Sequence, residues 1–152
     1  MQNESQIQHE QNVSFNEETV SIFSKELLRD ILLPDLLGKD HAQVLYWAGK
    51  QLARKFPLNN KEEIYGFFVK AGWGILTEEK TSKKEAEYFL SGPIISRRFN
   101  LNDQCEFHLE AGFLAEQLQL QNKRITEAVA EPKRRAEKVK LLVRWDTKDI
   151  IE

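Results

Sequence analysis

The CEFH run at 105 to 108 sets the chain's one thiol, Cys105, a helical turn from an imidazole, His108. That pairing is what a cysteine nucleophile or a metal site would use. A nucleophile needs a nearby base and a lowered pKa, so both groups would have to face one cleft. Zinc needs about four ligands including any water, and the remaining histidines, His9 and His41, form no second pair at metal-ligand spacing. Packing is therefore the reading for this pair, and the surrounding stretch carries no c-type haem attachment motif. Gly49 and Lys50 lie inside a helical pattern, without the earlier glycine or the following Ser or Thr of a phosphate-binding loop. Gly72 and Gly74 flank Trp73 without continuing into a dinucleotide fingerprint, and no G-x-S-x-G occurs. No catalytic residue, metal or cofactor is predicted.

Charged residues give two further candidates. Lys133, Arg134 and Arg135, with Lys138 and Lys140, form the densest basic segment, but no stacking aromatics interleave them. A solvated hairpin tip is the economical reading. Arg97 and Arg98 follow an apolar connector, and Glu110 lies within the next helix, where it would meet an arginine as a structural ion pair or help hold a polar ligand head. The structural role is the favoured one.

A net charge of -2 and a pI near 6.0 argue against nucleic acid or an anionic membrane as the main partner. No apolar run approaches the roughly 20 residues that span a bilayer, so no membrane insertion is expected. One cysteine forms no internal disulfide, and the polar start MQNESQIQHEQN lacks the plan of a signal peptide, which points to the cytoplasm. With 152 residues, 41% of them apolar, and nine Phe and three Trp, the chain has the material for one core.

These residues need elements to position them. Residues 1 to 16 are polar and read as a tail, 17 to 147 as one domain, and 148 to 152 as a second short tail. VSIFSKELLRDILLPDLLG sets Val20, Phe23, Leu27, Leu28 and Ile31 on one helical face until Pro34 disturbs it and Gly38 closes it. Asp40 is placed to cap HAQVLYWAGKQLARKF, which Pro57 stops. Asn60 and Glu63 have capping-box spacing ahead of a short helix that ends near Gly72. Two β-prone runs, about Ile75 to Glu79 and Glu85 to Leu90, make a hairpin, and Ile94, Ile95 and Phe99 belong to a short connector. FHLEAGFLAEQLQLQ at 107 to 121 carries two apolar stripes, so this helix is covered on more than one side. Gly112 in its middle costs about 1 kcal/mol relative to alanine and marks a close approach of backbone or ligand. Ile125 to Ala130 pairs across a turn with the strand carrying Val139, Leu141, Val143 and Trp145. The expected architecture is α+β: an antiparallel sheet of two hairpins against a central helix, with leading helices.

The runs LLRDILLPDLLGKD at 27 to 40, LYWAGKQLARKFP at 45 to 57, AGWG at 71 to 74, LSGPIISRR at 90 to 98 and LEAGFLAEQLQ at 109 to 119 resemble the YslB-like family of Gram-positive bacterial proteins. They cover nearly the whole chain after the tail. A more distant likeness reaches the 4-vinyl-reductase domains and the small TRAPP trafficking subunits, whose fold packs helices on an antiparallel sheet and can enclose an apolar cavity. AGFLAEQL at 111 to 118 is similar to the glycine-bearing motif of their long helix. The final hairpin here, EPKRRAEK, has none of the cysteines that vinyl-reductase-like relatives often carry.

Two functions stay open on this resemblance. One is a non-enzymatic domain binding an apolar or amphipathic small molecule in a cavity under the central helix, with Trp47, Phe68, Trp73 and Phe113 as lining. Gly112 would admit the close approach, and Arg97, Arg98 and Glu110 would serve a polar head. The other is an interaction or scaffold module acting through exposed helices. A homodimer is expected, because the first helix has more apolar surface than a short sheet can cover, and pairing would bury Phe23, Leu27 and Ile31. A filled core with an exposed apolar helical patch favours the second.

Overall fold

The computed structural model describes residues 18–151, so the tail expected over 1 to 16, including His9, lies outside the described residues. The first helix, α1, runs continuously through Ile22–Glu26, Leu27–Leu32 and Leu33–Leu37. Its middle segment is wound as a π-helix, with the Leu33 N–H reaching back to the Leu28 carbonyl. The widened turn lies just before Pro34, which has no N–H to continue the ladder. Gly38 ends the helix at φ 60°, and a 3-10 turn, Gly38–Asp40, leads directly into α2, His41–Lys55. That direct entry replaces the expected cap, since the Asp40 side chain makes no capping hydrogen bond.

Helix α3 spans Lys61–Lys70, and its start is the capping pair read from the sequence. Asn60 Oδ1 accepts from the Glu63 N–H at 2.9 Å, while Glu63 Oε1 accepts from the Asn59 N–H at 3.1 Å. Strands β1, Ile75–Thr81, and β2, Glu85–Ser91, form the first hairpin. The expected connector around Ile94, Ile95 and Phe99 is instead a helix, α4, over Pro93–Leu101. Proline at its first position presets φ for a helix, and burial of Ile95 and Phe99 on one side stabilises it.

The central helix α5 is His108–Asn122, and β3, Thr126–Lys133, pairs with β4, Lys138–Trp145. All pairings are antiparallel and the sheet order is β1-β2-β4-β3. Alternate residues Ala86, Tyr88 and Leu90 of β2 face inward with Val139, Leu141 and Val143 of β4. Residues 110 to 118 of α5 are buried on every side, between α2 and the sheet. Such a helix stays in place only if its polar groups are satisfied. Gln117 does this by donating to the Phe56 carbonyl at 2.8 Å and accepting the Leu58 N–H at 3.0 Å, which closes the loose end of α2. The outward N–H groups of edge strand β3 are met similarly: Thr126 by Gln119 and Ala128 by the Tyr46 hydroxyl.

Candidate functional site

Helix α1 is inverted. Its buried residues are Glu26, Arg29 and Asp30, a charged stripe at three- and four-residue spacing. Its apolar residues Phe23, Leu27, Leu28, Ile31, Leu32 and Leu36 point outward, from 43% exposed at Leu27 to 68% at Leu36, and Val20 just ahead of the helix is 81% exposed. Water normally drives the opposite arrangement. The cause lies beneath the helix, where α4 and the start of α5 supply a bed of complementary charges.

Arg29 extends its guanidinium to Glu110, with Nη2 2.6 Å from Oε1 and Nη1 3.1 Å from Oε2, and its Nε lies 3.2 Å from Glu106 Oε1. Arg98 makes the mirror-image fork on Asp30, with Nη2 2.7 Å from Oδ1 and Nε 3.1 Å from Oδ2, and adds a longer tie of 3.5 Å to Glu110. It also donates to the Glu106 carbonyl at 2.8 Å and lies over the Phe107 ring at 4.4 Å. At the rim, Arg97 Nε meets Glu26 Oε2 at 2.6 Å. Forked Arg–carboxylate pairs fix orientation as well as contributing attraction, so they set the rotation of α1 about its axis. Two adjacent residues, Arg29 and Asp30, cannot both turn inward to paired partners without turning the apolar side out.

The electrostatics follow from burial with compensation. Burial pulls Arg29 toward its neutral form, but the carboxylates of Glu110 and Glu106 outweigh it and hold the guanidinium above its usual range. Burial raises Glu106, yet the hydrogen bond with His108 and the charges of Arg29 and Arg98 hold its carboxyl down at about 2. Lys25 donates to the Gly72 carbonyl, and burial lowers its ammonium to about 8. The Nε2 of His41 is buried with no hydrogen-bond partner among the described residues, 3.8 Å from Glu106 Oε1.

The other residues singled out in the sequence fall in three places. Phe68, Trp73 and Phe113 meet one another edge to face, with centroids 5.1 to 5.9 Å apart, and Phe113 stacks on Phe67 at 4.5 Å. Trp47 stands apart from them, 61% exposed on the outer side of α2. Gly112 lies against α2 close to Gly49: a Cβ on Gly112 would lie 2.0 Å from the Tyr46 oxygen, and one on Gly49 would lie 2.2 Å from the Leu109 oxygen. The two glycines let α2 and α5 cross backbone to backbone. Arg98 and Glu110 come together in the charged bed, while Arg97 is on its rim.

Cys105 is buried, and burial pushes its thiol up to about 11, opposite to what a nucleophile requires. The His108 ring turns to Glu106, 3.2 Å from Oε2. Among the described residues, no group of three or more His, Cys, Asp or Glu is placed to hold a metal ion. No described helix is long and apolar enough to cross a membrane. Sequence reasoning missed Arg29, Asp30 and Glu106. The available signal was the stripe Glu26, Arg29, Asp30, which has the same helical period as the apolar one.

The fold is shared with solved proteins of distant sequence. A vinyl-4-reductase family protein from Methanocaldococcus jannaschii matches at TM-score 0.65 with 16% identity, over 92% of this chain and 90% of that one. A mutant of an Fe(II), unliganded H-NOX protein from K. algicida matches at TM-score 0.53 with 10% identity, over 86% and 76%. At such identities the likeness is one of fold. In sequence, the chain is 52% identical over 130 residues to the uncharacterized protein YslB of Bacillus subtilis strain 168, covering 86% of this chain and 88% of that protein. The family model described as protein of unknown function, DUF2507, matches residues 22–144. By that match and that identity, the chain belongs to the DUF2507 family.

Proposed function

We propose that this chain is a non-enzymatic interaction module that pairs with a second copy of itself through the outward face of α1. The inversion of α1 is the observation that carries the reading. Seven large apolar side chains, six on α1 and Val20 just ahead of it, are on average about half exposed and left facing water while charges occupy the seat beneath. Fully burying such a side chain contributes about 1.5 to 3 kcal/mol, so covering both copies offers roughly 10 to 20 kcal/mol gross. That compares with about 4 to 15 kcal/mol lost in association.

A second copy suits this face better than other occupants. The exposed residues along it include Asp35 and lack a basic cluster, so an anionic membrane finds nothing to hold. Residues 1–17 contain Ile7, Val13 and Phe15 as their larger apolar groups besides Met1, too few to cover seven. A two-fold pairing sets like against like and closes on itself. The aromatic rings packed about Phe113 support this reading over a ligand cavity beneath the central helix. A cytoplasmic setting is part of the proposal, on the single thiol.

Sedimentation equilibrium over a wide concentration range tests it. Wild type should approach twice the chain mass, and Leu27→Glu should give a folded monomer, since Leu27 already faces out. A wild-type monomer at every concentration refutes the pairing.

A further inference from the structure

Away from the α1 face, a cleft of about 410 Å³ opens between the end of α2 with its following turn and the outer side of α3. Small-molecule sites occupy about 300 to 1,000 Å³. Phe56, Pro57 and Leu58 form one wall, and Glu63, Gly66 and Phe67 form the other.

Gly66 sets this cleft apart from an ordinary surface hollow. It lies inside α3, where glycine is less favourable than alanine, and its φ is not positive. A Cβ there would meet nothing within 4 Å, unlike one on Gly49 or Gly112. Neither packing nor backbone geometry requires a glycine here. The consequence of the missing side chain is an open floor between the two walls.

Those walls are preformed. Phe67 is held from behind by stacking on Phe113, 4.5 Å apart and 18° from parallel, and its ring is 5.7 Å from that of Phe56. The opposite wall is pinned by α5: Gln117 holds the Phe56 carbonyl and the Leu58 N–H, and Gln121 donates to the Leu58 carbonyl at 3.1 Å. A preformed slot loses little on filling. At one end, Glu63 engages the Asn59 N–H through Oε1, while Oε2 takes no hydrogen bond among the described residues. Lys70, also on the lining, is two turns further on, about 10 Å along the helix axis, and is itself engaged.

We propose that this cleft binds a small molecule with a flat apolar body and a cationic amine head. The body rests over Gly66 against Phe56 and Phe67, and the amine meets Glu63 Oε2. The site is separate from the α1 face and does not depend on self-association.

Tryptamine is the probe, added to the full chain while amide chemical shifts are followed by NMR. The expected result is a saturable shift clustered on residues 56 to 67. Gly66→Leu, whose Cβ meets nothing within 4 Å and whose longer side chain occupies the floor, should weaken binding at least roughly tenfold while the remaining amide spectrum stays that of the fold. Glu63→Gln, which keeps the acceptor for Asn59, should weaken tryptamine several-fold and leave indole unchanged. Absence of saturable shifts, shifts centred elsewhere, or full binding by Gly66→Leu overturns the site. An equal response of tryptamine and indole to Glu63→Gln overturns the cationic head.

Discussion

Changing Gly112 to alanine adds one methyl group at the crossing of α2 and α5. Its Cβ would stand 2.0 Å from the Tyr46 oxygen and 2.9 Å from the carbonyl carbon. Both obstacles are backbone, so no rotamer relieves them, and the helices must part by an ångström or more. Parting also loosens Leu45, Ala53 and Phe113, which are buried along the same crossing. Overpacking costs about 1 to 3 kcal/mol and sometimes more, while the better helix propensity of alanine returns about 1 kcal/mol. With backbone on both sides the upper end applies, and we expect a net loss of about 2 to 3 kcal/mol. In urea, at fixed protein concentration, the unfolding midpoint should drop by roughly 0.7 to 3 M at an m-value of about 1 to 3 kcal/mol per M. Gly66→Ala is the matched comparison: the same methyl meets open space, so propensity alone acts and stability should rise by up to about 1 kcal/mol. Gly49→Ala meets the same crossing from the other side, so the double variant Gly49→Ala with Gly112→Ala should cost less than the sum, one separation serving both. An unchanged or raised midpoint for Gly112→Ala, or equal losses at Gly66 and Gly112, would refute the reasoning.

Acid should loosen the seat of α1. The folded-state pKa of Glu106 is depressed from 4.5 to about 2, so the unfolded chain takes up the proton first as pH falls. Its contribution is present above pH 4.5 and is lost between there and about 2, on the order of 3 kcal/mol. Denaturant unfolding from neutral pH down to that range should show this slope in wild type and a flatter one in Glu106→Gln; equal slopes would contradict it. Cys105 should react slowly with a disulfide reagent in the folded chain. Raising its pKa from 9.0 to about 11 cuts the thiolate fraction about 100-fold near neutral pH, before burial is counted. A rate equal to that of the denatured chain would show the thiol to be open.

Much of the fold was legible in the sequence because its causes are local. Hydrophobic periods marked α2, α3, α5 and the strands, the Asn60 and Glu63 capping pair marked a helix start, and the two apolar stripes of α5 pointed to a helix covered on several sides. The glycine inside α5 announced a close approach. Which partner approaches was decided only in three dimensions, where Gly112 meets the Tyr46 carbonyl from more than sixty residues away in sequence and Gly66, an equally plain helical glycine, meets nothing. Helix α4 was missed because proline and a single apolar side are weak signals over nine residues. The orientation of α1 was the larger omission. A helical period identifies two faces but does not say which one packs, and here the choice rests on Arg98, Glu106 and Glu110, distant in the chain, arriving together beneath Arg29 and Asp30. Burial of a charge is favourable only when its partner is in place with good geometry. The sequence holds both partners, and only the packing of α4 and α5 brings them within hydrogen-bonding distance of one helix and turns its apolar face to the water.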